Sequence, residues 1–182
     1  MNVPAPRLGQ GLAVDLLNTV WADRAGTHDE LAGPGSASAW AGLRLTAPQT
    51  RELRDLRDAA RDLAAELTAD PRAVAAGHER RADSAVALLN ATSARAPSWP
   101  VLVDGRVERA SGAGPADGHL GGLAAELVEL LAAGSGLQAC LAPGCVLYFL
   151  KDHPRRAWCS TSCGNRERAA RHYARRRTAR ST

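Results

Sequence analysis

The chain has 182 residues, of which 45% are apolar and only seven are aromatic, and its formal net charge is +4. This length fits one domain of ordinary size, or a smaller domain with an appended module. No stretch approaches the roughly 18 apolar residues that cross a bilayer, and the N-terminus lacks the pattern of a secretion signal. We therefore expect a cytoplasmic protein with no membrane partner. A core built mainly from Leu, Val and Ala favours packed helices over a β-sandwich.

The positive charge is concentrated at the C-terminal end. Residues 151–182 carry ten basic and two acidic side chains, whereas residues 1–150 carry 13 basic and 17 acidic ones. An acidic body with a basic end is typical of a chain whose C-terminal end binds a polyanion.

The first apolar segment, residues 11–20, is interrupted by Asp15 and Asn18, and its periodicity fits a helix as well as a strand. Asp15, Asn18 and Thr19 are candidates for a small-ligand pocket. Side chains of these types more often cap backbone groups and form turns, and we favour that role. Residues 24–39 are rich in Gly, Ser and Pro and are predicted to form a loop.

Two amphipathic helices are predicted next. The first begins at a capping box formed by Thr46 and Gln49. Its apolar residues recur three and four positions apart and are Leu53, Leu56, Ala60, Leu63 and Leu67. The second helix is predicted to have Asp70 as N-cap and Pro71 at its first position, and to end near Asn90. The residues that it should bury are Val74, Ala82, Val86 and Leu89.

A hairpin and a third helix follow. Residues 101–109 contain two β-prone runs on either side of Asp104 and Gly105, which is the strongest local signal for a hairpin. One hairpin is marginally stable alone, so we expect it to lie on the helices. The third helix is predicted to end at Gly134 and Gly136. Its apolar stripe consists of Leu120, Leu123, Leu127, Leu130 and Leu131.

Four cysteines lie within 24 residues, and they are Cys140, Cys145, Cys159 and Cys163. Two close pairs at this separation have the spacing of a zinc site, and two disulfides or four ordinary buried thiols are the alternatives. His153 or His172 could replace a cysteine, although four thiolates need no further ligand. Four thiolates leave no open position for water, so we predict one structural Zn²⁺. A knuckle, a hairpin and a helix carrying the second pair give a treble-clef-like finger.

The last helix carries the basic charge. At 100° per residue, Arg168, Arg171 and Arg175 share one face, opposite to the face of Tyr173. Guanidinium groups at this spacing can follow a phosphate backbone or reach guanine in a major groove. Arg155 and Arg156, at the end of the finger hairpin, could add phosphate contacts. A solvated basic face is the alternative, but the metal-anchored base favours nucleic acid.

The run Cys163-Gly164-Asn165-Arg166 resembles the CGNR zinc-finger family. Residues 12–20, the region of Trp40 and the helix after Thr46 resemble the ABATE domain that precedes this finger. The resemblance implies a bacterial, stress-related transcription regulator whose finger binds DNA. For Asn165 and Arg166, support of the finger and contact with DNA both stay open.

We therefore predict a mainly α fold, α+β overall, with two domains. Residues 1–136 form an ABATE-like α-rich domain with a small β-hairpin, and residues 137–182 form a CGNR zinc finger with a basic C-terminal helix. The predicted function is zinc-dependent transcription regulation, with double-stranded DNA as partner and an N-terminal domain that senses a small-molecule effector or assembles as a homodimer. A module for protein interaction or RNA binding is the alternative. His28, His78 and His119 are scattered without a recognisable catalytic motif, so we do not expect an enzyme.

Overall fold

A computed structural model describes residues 5–72, 82–134 and 136–178. In these residues the chain forms six helices and three two-stranded antiparallel sheets, which confirms the predicted mainly helical fold. The helices are α1 Leu12–Leu17, α2 Pro34–Ala41, α3 Ala47–Leu67, α4 Ala82–Arg95, α5 Pro115–Ala133 and α6 Thr161–Thr178. The strands are β1 Val20–Asp23, β2 Gly26–Asp29, β3 Ser98–Val103, β4 Arg106–Ser111, β5 Leu137–Ala139 and β6 Tyr148–Leu150. In the described residues, no helix has the length and apolar character required to cross a membrane.

Helices α3 and α5 form the centre of the main core. The predicted capping box starts α3, because Thr46 N donates to Gln49 Oε1 at 2.9 Å while Thr46 Oγ1 accepts from Gln49 N. In the apolar stripe of α5, Leu120, Leu123 and Leu127 are buried as predicted, whereas Leu130 and Leu131 are half-buried. Gly134 ends the helix with a φ of 61°. Helices α1, α2 and α4 complete this core.

The predicted start of the second helix is wrong. Pro71 and Arg72 are not helical, and the Asp70 carboxylate accepts from Arg72 N at 3.1 Å and pairs with the Arg72 guanidinium at 2.5 Å. The predicted core residue Val74 lies outside the described residues. Residues 82–95 are helical, which agrees with the later part of the prediction.

The buried face of α4 also differs from the prediction. Ala85 and Leu89 are buried, whereas Ala82 is exposed and Val86 is 45% exposed. Ala85 and Leu89 lie one turn apart on the buried face, and Val86, 100° round the helix from Ala85, lies at the edge of that face.

The ambiguous segment near the N-terminus is a helix followed by a strand, α1 and β1. Residues 24–39 are not a loop throughout, because they contain β2 and most of α2. The β1–β2 pair is stabilised by Trp21 and His28, which are cross-strand partners and stack with ring centroids 4.2 Å apart. The two elements missed in this stretch, β2 and α2, are short, and their Gly and Pro content is more typical of a loop.

The predicted hairpin is present as β3 and β4, with Asp104 at φ 48° and Gly105 at φ 75° in its turn. Its predicted location on the helices holds only at its base, where Ser98, Arg109 and Ser111 border a cavity with α5. Leu102 and Val107 are cross-strand partners next to the turn, and they are 76% and 75% exposed. The tip of this hairpin therefore reaches into solvent, because the register places its apolar pair beyond the helices.

Strand β6 lies between two hydrophobic cores. Tyr148 contributes to the main helical core, whereas Leu147 and Phe149 contribute to a second core around the four cysteines. Successive side chains of a strand point to opposite faces, so one strand serves both cores. Trp21 of β1 also belongs to the second core, which joins the cysteine region to the N-terminal part of the chain.

Candidate metal centre and nucleic-acid interface

The four cysteines lie together and are all buried, with their Sγ atoms within 4.8 Å of one another. The Cys145 and Cys159 sulfurs are 3.8 Å apart, and those of Cys159 and Cys163 are 3.4 Å apart. Tetrahedral zinc with Zn–S bonds of about 2.3 Å separates its ligand sulfurs by about 3.8 Å. The predicted residues therefore form a metal site that fits one structural zinc.

The ionisation of these thiols also calls for a cation. Hydrogen bonds from Cys145 and Cys159 lower the pKa of Cys140 to about 2. The hydrogen bond to Cys140 raises the pKa of Cys145 to about 12. Four buried thiolates at this spacing repel one another, and a divalent ion that replaces the protons allows all four to coordinate.

Two tight local structures position the ligands. In the first, Gly144 has a φ of 71°, and Cys145 N donates to Ala142 O at 2.9 Å, which closes the knuckle. In the second, Ser160 precedes α6, and its Oγ accepts from Cys163 N at 3.2 Å as an N-cap. Strand β5 leads into the knuckle and β6 leaves it, so the knuckle is the turn of the β5–β6 pair. The predicted knuckle and helix are present, but β6 pairs with the strand before the knuckle and not with a strand returning toward Trp158.

The run Cys163-Gly164-Asn165-Arg166 makes contacts inside the finger. A Cβ atom on Gly164 would lie 3.0 Å from Cδ1 of Trp158, so glycine allows the indole to approach the helix start closely. Arg166 Nη2 donates to Cys163 Sγ at 3.0 Å. Asn165 Oδ1 accepts from Arg168. Arg166 therefore supports a zinc ligand directly.

An arginine that sequence reasoning missed reaches the knuckle from the N-terminal part of the chain. Arg72 Nη1 donates to the backbone carbonyl oxygens of Cys140 at 3.1 Å and Cys145 at 3.0 Å. The side chains of these two cysteines are two of the four predicted zinc ligands. Its guanidinium is held by Asp70, which also accepts from Tyr148 OH at 2.8 Å. Burial opposes ionisation of Asp70, but these hydrogen bonds outweigh it and lower the pKa of the carboxyl.

A second missed arginine, Arg61, lies in the interior of α3 and is 5% exposed. It donates to Leu17 O at 2.5 Å and to Val146 O at 3.2 Å, the carbonyl that follows Cys145. Its guanidinium carbon lies 5.1 Å from the centroid of the Tyr148 ring. Arg61 therefore connects α1, α3 and the zinc knuckle. Arginines in the middle of a helix usually face solvent, so nothing in the sequence signalled this role.

The three candidate ligand residues near the N-terminus are buried. The Asn18 amide is hydrogen-bonded to the backbone of Tyr148, and Thr19 Oγ1 donates to Leu16 O at 2.8 Å. Burial raises the pKa of Asp15. None of the three lines the two cavities described below, and their role in ligand binding stays a prediction.

The basic helix α6 projects from the metal centre. Only Cys163 and Gly164 are buried among its residues. Arg168, Arg171 and Arg175 are exposed, and Tyr173 on the other face is 68% exposed. The Arg171 guanidinium pairs with Glu167 on the preceding turn at 2.6 Å. The arginine face is therefore open to a partner along its length.

A groove of about 600 Å³ lies beside the start of α6, between this helix and the loop that follows β6. Arg155 and Arg168 line it from the two sides, together with Ser160 at the helix cap. Arg156 also lines the groove, but it is engaged with Asp152 at 2.7 Å and with Cys159 O at 3.0 Å. Cations and a helix N-terminus at one groove make a suitable place for a phosphate.

Two family models match the chain in succession. Residues 10–134, more than half of the chain, match the ABATE model, described as "Putative stress-induced transcription regulator". Residues 137–176 match the model of the CGNR zinc finger. A search of curated proteins found no match. The order of the two matches is the one that the sequence resemblance implied.

Proposed function

Because the chain belongs to the ABATE family and carries a CGNR zinc finger, we propose that it is a zinc-dependent regulator of transcription that binds double-stranded DNA. Residues 137–182 act as the DNA-binding finger. Residues 1–136 act as a domain that senses an effector or mediates assembly. Neither family description is that of an enzyme.

The observation that carries this proposal is the exposed arginine face of α6, which begins at the metal centre. An α-helix with its side chains is about 10–12 Å across, which fits the roughly 12 Å width of the DNA major groove, and its arginine face would then point toward the DNA. Arg168, Arg171 and Arg175 thus reach successive phosphates or base edges. The contacts of Arg168 with Asn165 and of Arg171 with Glu167 lie at the surface, where such pairs are worth about 1 kcal/mol or less and exchange readily for phosphate.

Further contacts surround this face. Arg155 lines the groove at the start of α6, where a phosphate would meet the Ser160 cap. Arg156, Asn165 and Arg166 have partners within the finger, so we assign them to the edge of the DNA interface. The main role that we assign to these three residues is to stabilise the finger through those contacts.

A charge reversal tests the proposal. Arg168→Glu/Arg171→Glu should abolish binding of the zinc-loaded chain to a fluorescent random duplex, measured by anisotropy at low salt, while zinc content is unchanged. Arg44→Glu/Arg106→Glu reverses two exposed arginines outside the finger and is the matched control. Equal duplex affinity of the α6 variant and the control would contradict the proposed interface.

The salt dependence and the choice of nucleic acid sharpen this test. Each neutralised phosphate should contribute about 0.9 to the slope of log K against log salt, so Arg171→Gln should reduce the slope by about 1. Duplex DNA is compared with single-stranded DNA and structured RNA. A preference for RNA, or no affinity for any of the three, would favour the RNA-binding or protein-interaction module over a DNA-binding regulator.

A further inference from the structure

A cavity of about 470 Å³ lies between the β1–β2 hairpin and the first half of α3, away from the zinc finger helix. Its volume falls in the range of about 300–1,000 Å³ that small-molecule sites occupy. Most of its lining is charged, with four arginines against three aspartates. These residues are Arg51, Arg54, Arg57, Arg61, Asp29, Asp55 and Asp58.

One of the four arginines is fully engaged. Arg57 is 3% exposed and donates from Nη1 and Nη2 to the two carboxylate oxygens of Asp29, at 2.5 and 3.1 Å. Its Nε donates to Asp58 at 2.8 Å. This bidentate pair attaches the β1–β2 hairpin to α3, and the single Arg57 guanidinium contacts two of the three aspartates.

The other arginines are less fully paired. Among the residues that the structure describes, Arg51 and Arg54 have no hydrogen-bond or ion-pair partner, although Arg54 is half-buried. Arg61 donates only to neutral backbone carbonyls. Three of the four arginines that line the cavity therefore make no ion pair with a carboxylate within the described part of the chain, and Asp55 lines the cavity beside them.

We propose that this cavity binds a small anionic effector through a phosphate or carboxylate group, held by Arg51 and Arg54 with Arg61 at the floor. Planar guanidinium groups bind both kinds of oxyanion in a bidentate manner. Such an anion would offset the excess of cations that the described residues leave in the lining.

Arg61 joins the cavity to the finger. The Arg61 side chain lines the cavity, and its guanidinium donates to Val146 O, next to the zinc ligand Cys145, and lies over Tyr148 of β6. An anion that attracts Arg61 therefore acts on β6, the strand that contributes side chains to both cores. An effect of the bound anion on DNA binding through this strand would rest on the proposed function, whereas the anion site itself does not.

The site is tested by isothermal titration calorimetry of the zinc-loaded full chain without DNA, with inorganic pyrophosphate and citrate as separate probes. We expect saturable binding of at least one probe, weakened about tenfold or more in Arg51→Gln/Arg54→Gln. Arg44→Gln/Arg106→Gln removes the same charge at exposed positions outside the cavity and should bind like the parent chain. Circular dichroism checks that both variants are folded.

The two probes separate a phosphate ligand from a carboxylate ligand. No saturable binding of either probe, or equal weakening in both double variants, would overturn the anion site. Because the titration contains no DNA, its failure leaves the DNA-binding proposal intact. Conversely, a chain that binds an anion but no DNA would contradict the DNA-binding proposal and leave the anion site supported.

Discussion

The side-chain amide of Asn18 forms two hydrogen bonds with the backbone of Tyr148, to its carbonyl oxygen at 2.9 Å and from its N–H at 2.8 Å. Gln10 makes the same pair of bonds with Leu150, at 2.8 and 2.9 Å. Strand β6 pairs with β5 along one edge. Along its other edge, the two side-chain amides hydrogen-bond the backbone N–H and C=O groups of Tyr148 and Leu150, as a neighbouring strand would. The N-terminal segment thereby holds the strand that leaves the zinc knuckle.

Asn18→Ala should destabilise the protein by about 2–3 kcal/mol, because it leaves a buried N–H and a buried C=O of Tyr148 without partners. Urea unfolding followed by circular dichroism measures this loss. Gln10→Ala is the matched control, since the same two bonds lie at a half-buried site that water can enter. Equal losses in the two variants would show that burial of the Asn18 pair is not the source of its contribution.

Arg72→Gln should weaken zinc binding about 10-fold to 100-fold, the range typical of residues that support metal ligands. The variant loses the cationic donor that serves the carbonyls of Cys140 and Cys145. Competition with a chromophoric chelator measures the affinity, and Arg44→Gln is the control for lost charge. Unchanged zinc affinity in Arg72→Gln would mean that the knuckle holds its geometry without the N-terminal domain.

Gly121→Ala should destabilise the protein by about 1–3 kcal/mol through overpacking. A Cβ atom at this position of α5 would lie 2.4 Å from the Cβ of Ala96, just after α4, and 3.3 Å from its backbone. Gly122→Ala is the control, because a Cβ there meets nothing within 4 Å and alanine favours the helix by up to about 1 kcal/mol. Thermal unfolding should therefore shift in opposite directions, and a stabilised Gly121→Ala would contradict the close approach.

Features encoded by local spacing were predictable from the sequence. The capping box of α3, the turn at Asp104 and Gly105 and the group of four cysteines each depend on residues close in the chain. The buried arginines were not predictable, because their partners are distant. Arg61 reaches a carbonyl 85 residues away, and Arg72 reaches ligands 68 and 73 residues away.

The cavity beside α3 was missed for a related reason. One of its walls is the β1–β2 hairpin, whose second strand falls in residues 24–39, the stretch predicted to be a loop. Arg51 and Arg54 look like the solvent face of an amphipathic helix, and only the position of the hairpin beside α3 shows that they border a cavity.

Arg166→Gln should increase the rate at which a chelator removes zinc, because it removes the donor to Cys163 Sγ. Neighbouring thiolates raise the pKa of Arg166 despite the opposing effect of burial, so the guanidinium stays charged at any pH where the site is loaded. Stopped-flow release into a chelator gives the rate. Arg176→Gln, on the exposed last turn of α6, should release zinc like the parent chain.

The central claim is that the zinc site holds the arginine face of α6 in place for DNA. The most direct test titrates a chelator into the complex of the full chain with duplex DNA and follows bound zinc and duplex anisotropy in the same samples. We predict that DNA affinity falls in step with zinc occupancy and returns when zinc is restored. DNA affinity that persists after the zinc has been removed would contradict the claim.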